Sequence, residues 1–233
     1  MTSFLRRLKY YGIGFSIGLF FVFFFFQNRG CSWLPDNRVK NTILDRVLVI
    51  PESTQKMLTS KGFTKNDVIS VLNDGSVSFM DSKRHGDDKI YLIEKECDGK
   101  GIAKLFFTLP NESFLTEVHW ANKPVGNIHN TKHGNGIILR IPNDDNLIFI
   151  DSSNLTSCQM AALGIKNPVN ILKLLKKNGR VNFEQTNYAA KPKPEQYLMF
   201  TDKNKRQIGI RAIWYKNKIN VTSFVLPFDT DCD

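Results

Sequence analysis

The sequence predicts an α+β protein: an N-terminal transmembrane helix followed by two similar modules, each of two short helices plus an antiparallel β-meander. Three observations carry this. Eight of the 18 phenylalanines stand in the first 26 residues. A stretch of helix signals recurs about 102 to 106 residues further on. Short runs rich in β-branched and aromatic residues follow each copy of it. At 233 residues the chain suits one large domain or two small ones. Its 42% hydrophobic and 23% charged residues exclude a disordered tail and a multi-span membrane protein.

Arg6, Arg7 and Lys9 precede an apolar run of 17 residues, Tyr10 to Phe26. A bilayer span takes about 20 residues, and about 17 is the lower limit. Tyr10 and Tyr11 stand where an interfacial aromatic belt would place them, and the basic cluster favours a cytoplasmic N-terminus. The expected location is therefore the inner membrane, single-pass through residues 10–26, with the body in the periplasm or outside. A cleaved signal peptide is the rival, but no small-x-small site follows, only Gln27, Asn28, Arg29, Gly30 and Cys31. Cys31 after Gly30 hints at lipidation, although Asn28 and Arg29 are poor neighbours for it. Gly14 and Gly18 have the Gly-x-x-x-Gly spacing that could pair two such helices into an oligomer; lipid-facing glycines are the simpler reading.

The formal net charge is +10, from 32 basic and 22 acidic residues. Setting aside Arg6, Arg7, Lys9 and Arg29, which flank the apolar run, leaves 28 basic residues and about +6. Part of the basicity is thus topology, and the remainder does not by itself select nucleic acid. Cys31, Cys97, Cys158 and Cys232 form no Cys-x-x-Cys pair, so neither zinc nor a thioredoxin-type site is expected. In an oxidising compartment they could form disulfides, with three full connectivities open.

In the repeat, Gly62 matches Gly164. Val68, Val71 and Leu72 match Ile171, Leu174 and Leu175. Asp74 to Phe79 matches Asn178 to Phe183, Tyr91 to Ile93 matches Tyr197 to Met199, and Thr116 matches Thr222. In each copy a short helix ends at the glycine. The next helix starts at a cap: Thr64, three residues before Asp67, in the first copy, and Asn167 with Pro168 behind it in the second. Asp74-Gly75 and Asn178-Gly179 then turn the chain into strands. Those of the first copy are Val77 to Met80, Lys89 to Glu94, Ile102 to Leu109 and Phe114 to Trp120. Those of the second are Val181 to Phe183, Gln196 to Phe200, Ile208 to Tyr215 and Ile219 to Val225. Ile137 to Ile141 and Leu147 to Ile150 read as a hairpin around Pro142 to Asp145. The apolar runs Val47 to Ile50 and Leu147 to Ile150 each precede a copy and could be its first strand. The organisation expected is 1–30 basic stub and anchor, 31–46 linker and helix, 47–120 first module, 121–146 connection with a hairpin, and 147–233 second module.

Met57, Gly62-Phe63, Asp67-Val68 and Gly75, followed by the Tyr91 strand, resemble the pattern of a small bacterial domain-of-unknown-function family. That family is related in fold to BrnT-like and RelE-like ribonuclease toxins, and the likeness covers about 70 residues. The family's His-Ala position falls near Glu52-Ser53, so its histidine is missing here. The layout from Cys31 to Val39 after the apolar run is similar to envelope proteins of low-GC bacteria.

The resemblance implies ribonuclease-like chemistry, which needs a base, an acid and cations around a phosphate. The candidates are Arg84 and His85, beside Lys83, and His119 at a strand end. A solvated turn and a partly buried strand-end residue are the simpler readings of them. His129 and His133 are four apart, but Gly134 and Gly136 follow and no third ligand is evident, so no metal and no cofactor are expected. Lys173, Lys176, Lys177 and Arg180, with Lys191, Lys193, Lys203, Lys205 and Arg206, could form a basic face for phosphate-rich partners. The apolar anchor, the repeat and the missing histidine together lead to the expectation of a non-enzymatic, membrane-anchored envelope protein that binds another envelope protein. An RNA-binding or RNA-cleaving domain is the alternative, disfavoured by export. A lipid or cell-wall binder is the third.

Overall fold

The computed structural model describes residues 2–27, 34–150 and 153–232, and the side chains of 7–23 within the first helix. The chain divides into two units, Met1–Asn41 and Thr42–Asp233. The first holds helix α1 (Thr2–Gln27) and most of α2 (Pro35–Leu44). Among the described residues no helix is long and apolar enough to cross a membrane. Arg6, Arg7 and Lys9 occupy the first turns of α1, and Gly12, Gly14, Ser16 and Gly18 lower the apolar character of the residues that follow them. The single-pass anchor and the inner-membrane location read from Tyr10 to Phe26 are corrected accordingly. Cys31 lies outside the described residues.

The second unit is built on one mixed sheet of eleven strands. In chain order it runs β1 (Val47–Pro51), α3 (Glu52–Ser60), α4 (Lys65–Asp74), β2 (Ser76–Lys83), β3 (Lys89–Cys97), β4 (Gly101–Leu109) and β5 (Leu115–Trp120). A 3₁₀ turn (Val125–Asn127) and β6 (Asn135–Arg140) follow. Then come β7 (Ile148–Ile150), α5 (Asn154–Ala162), α6 (Pro168–Asn178), β8 (Arg180–Asn182), β9 (Gln196–Thr201), β10 (Gln207–Tyr215) and β11 (Lys218–Val225).

The two separate modules expected from the repeat are replaced by this single sheet, ordered β2-β3-β4-β5-β1-β6-β8-β9-β10-β11-β7. The expected hairpin does not form. Strand β6 pairs antiparallel with β1 on one side and β8 on the other, while β7 pairs with β11. Side chains from both ends then share one core: Val49 and Leu115 belong to the same buried cluster as Ile138, Ile171, Leu175 and Leu198. Dividing it would expose apolar surface worth about 1.5–3 kcal/mol per large side chain. The sequence repeat maps onto the two ends of the sheet, where β2-β3-β4-β5-β1 and β8-β9-β10-β11-β7 run in the same order. In each, the strand that leads into the helix pair lies parallel to the last strand, β1 to β5 and β7 to β11.

Local chemistry explains the helix boundaries. Gly62 and Gly164 adopt φ of 74° and 65°, which L-residues rarely take. At both, the next residue's N–H reaches back to the preceding helix, Phe63 to Leu58 O and Ile165 to Met160 O, each at 2.9 Å. Thr64 and Asp67 form the reciprocal capping box. Asn167 caps α6 by accepting from Val169 N at 2.9 Å. Gly75 and Gly179 serve differently from the turn glycines the sequence implied. Their φ values are ordinary (−69° and −65°), but a Cβ would collide with Val71 O and Leu175 O.

Candidate functional site

The parallel pairing of β1 with β5 places the start of α3 beside the C-terminal end of β5, the end of a sheet where ligands commonly bind. Residues 117 and 119 alternate onto one face of β5. Glu117 is only 1% exposed, and its Oε2 accepts from Thr131 N at 2.8 Å. His119 brings Nε2 to 3.3 Å from the same oxygen. The contact lies outside hydrogen-bond geometry, since this Nε2 is buried with no hydrogen-bond partner among the described residues. Nε2 therefore faces the buried carboxylate at close range without a hydrogen bond to it.

His119 lines a pocket of about 260 Å³ together with Ser53 and Thr54 of α3. Asn122, Lys123 and His129, from the segment after β5, close its other side. No Asp or Glu lines it. Helix α3 starts at Pro51 without a side-chain cap, so the N–H groups of its first turn are not taken by a cap residue. The connecting segment is fixed by Thr131 N on Glu117 and by the Tyr188 hydroxyl, which donates to Thr131 O at 2.7 Å. Burial, and then the neighbouring Glu117 carboxylate, hold the Tyr188 phenol protonated well above its usual range.

No family model, no curated protein and no solved structure matches the chain.

Of the residues singled out in the sequence, the structure brings His119 and His129 together. Arg84 and His85 are exposed in the turn between β2 and β3, at the outer edge of the sheet and three strands from β5. They do not line the pocket, which removes them from one constellation with His119. His133 sits in the extended segment before β6, so the four-residue spacing from His129 is not on a helix. On α6, Lys173, Lys176 and Lys177 are exposed, as is Arg180 just beyond it. Lys176 donates to Asn143 Oδ1 at 3.0 Å, and Arg180 stands 3.7 Å from Glu52. Lys193 pairs with Glu112 at 2.6 Å, so this cation is not part of a free basic face. Cys158 and Cys232 form a disulfide, and Cys97 is a buried free thiol.

Sequence reasoning missed Glu117 and Thr54, and marked Ser53 only as part of the position where the resembled family has its histidine. A carboxylate inside the otherwise apolar and neutral run Phe114 to Val118 was the available signal for Glu117. Nothing local ties Ser53 and Thr54 to His119, because only the long-range β1–β5 pairing brings them together.

Proposed function

We propose that the protein is a ligand-binding protein whose pocket at the start of α3 takes an anionic group, with His119 as its principal donor. One observation supports this above the others: the pocket gathers donor-bearing side chains and an uncapped helix N-terminus, and no carboxylate faces the ligand space. Helix N-termini favour anions through their unsatisfied N–H groups and the helix dipole. Binding of inorganic phosphate and of phosphorylated small molecules, followed by calorimetry, tests the reading. His119→Ala should weaken the tightest of them at least about tenfold, the loss of one charge-assisted hydrogen bond. Unchanged affinity would overturn it.

A second reading, cleavage of a phosphodiester, is supported by the closeness of Glu117 to His119, because a carboxylate beside an imidazole is a recurring general-base arrangement. Turnover of single-stranded RNA or of an activated phosphodiester, lost in both His119→Ala and Glu117→Gln, would favour this over binding alone. No turnover leaves binding as the function.

A further inference from the structure

The two ends of the sheet share a helix–glycine–helix corner, and only one of them is plugged. At the first, Phe63 follows Gly62, is 7% exposed, and lies 5.3 Å from the Trp120 ring. Above it, Lys100 from the β3–β4 turn reaches Asp67 of α4 at 2.6 Å, its ammonium 5.8 Å from the Phe63 ring. Ring and ion pair together fill the corner.

At the second end the equivalent of Phe63 is Ile165, which makes the same backbone bond after Gly164. The third residue of the following helix is Asn170 instead of Asp67. The cation that closes the β9–β10 turn, Arg206, has no helix carboxylate to reach. It folds back on Asp202 of its own turn, with both Nε and Nη2 at 2.8 Å from Oδ2. A smaller side chain and a missing carboxylate leave an open cleft of about 360 Å³. Its walls are Leu163, Ile165 and Leu174, and its floor is Phe200, which is 1% exposed. At its rim stand Lys173 and Lys203, neither with a partner among the described residues. Asp202 offsets Arg206, so the rim carries an excess of two positive charges over an apolar interior.

We propose that this cleft binds a single-chain anionic amphiphile, with its acidic head between Lys173 and Lys203 and its apolar body against Ile165, Leu174 and Phe200. Charge complementarity selects the head and the apolar interior selects the tail. A cleft of this size, apolar with a few placed polar groups, is typical of small-molecule sites. This site is separate from the His119 pocket and does not depend on it.

The probe is an anionic aromatic fluorophore, anilinonaphthalene sulfonate, displaced by ten-carbon competitors below their micelle concentrations. Decanoate should displace it, whereas decyltrimethylammonium and inorganic phosphate should need at least about tenfold higher concentrations. Ile165→Phe, which restores the plug of the first end, should abolish displaceable binding. The double change Lys173→Glu with Lys203→Glu should weaken decanoate at least about tenfold, and being on the surface it keeps the test valid should Ile165→Phe not fold. Equal displacement by the cationic competitor or by phosphate would overturn the proposal. So would decanoate binding that survives the double change or a folded Ile165→Phe.

Discussion

The two ends of the sheet have the same strand order and similar helix corners, yet they have specialised in opposite places. The first end keeps its corner closed with Phe63 and the Lys100–Asp67 pair, and opens a polar pocket at the start of α3 around His119. The second opens its corner, and has Val225 where the repeat aligns His119. It also ties α5 down twice. Gln159 exchanges hydrogen bonds with the backbone of Phe224, each at 3.0 Å, and Cys158 is bonded to Cys232. The two ends thus share strand order and the glycine that ends the first helix of each pair, while a few side chains decide which hollow is filled and which is open.

The largest effect is expected where the first corner is plugged. Phe63→Ala should cost about 3–5 kcal/mol, the range for truncating a buried aromatic. Ile165→Ala should cost less, because Ile165 is partly exposed at an open cleft. Chemical denaturation of both variants checks this, and equal losses would mean that the two corners are packed alike.

The disulfide comes next. It links residues 74 apart in sequence, and removing such a link typically costs about 2–4 kcal/mol. Cys158→Ser should therefore lower the melting temperature, whereas Cys97→Ser, at a buried free thiol of the first end, should act only through packing. A melting temperature insensitive to Cys158→Ser would show that the Gln159 hydrogen bonds and the packing of Met160 hold α5 without the disulfide.

The smallest effect concerns Asp67. The Lys100 hydrogen bond first, then the Thr64 N–H, lower its carboxyl from 3.8 to about 2. A group whose pKa is depressed by folding stabilises above its unfolded value, so this contribution is complete above about pH 4 and is lost as pH falls toward 2. Asp67→Asn should lower stability by about 1 kcal/mol near neutrality, as the loss of a cap does, and should flatten the pH dependence in that window. A stability-versus-pH curve identical to that of the unchanged protein would sink this account of the plug.

What could be read in the sequence was local. Thr64, Asp67, Asn167 and Pro168 announce helix starts because capping is a contact between residues two or three apart. Gly62 and Gly164 announce helix ends through the conformation they permit. The strands of the sheet were legible from composition, but their partners were not. The parallel β1–β5 and β7–β11 pairings and the insertion of β6 join residues 43 to 92 positions apart, which no periodicity records. That same long-range step hid the site. His119 was visible as a strand-end histidine, but Ser53 and Thr54 reach it only through the β1–β5 register, and Glu117 matters only because Thr131 and His119 close over it. The phenylalanine-rich first helix misled in the other direction, since a run already at the lower limit of length was read as a span, and no described helix is long and apolar enough to cross a membrane.

The central claim is that the pocket at the start of α3 is an anion site built around His119. The most direct measurement is a titration of the isotope-labelled full chain with inorganic phosphate, followed by nuclear magnetic resonance. Saturable shifts are expected, centred on the amides of Ser53 and Thr54 and on the His119 ring, and abolished by His119→Ala while the rest of the spectrum is retained. Shifts that never saturate, or that persist unchanged at Ser53 and Thr54 in His119→Ala, would contradict it.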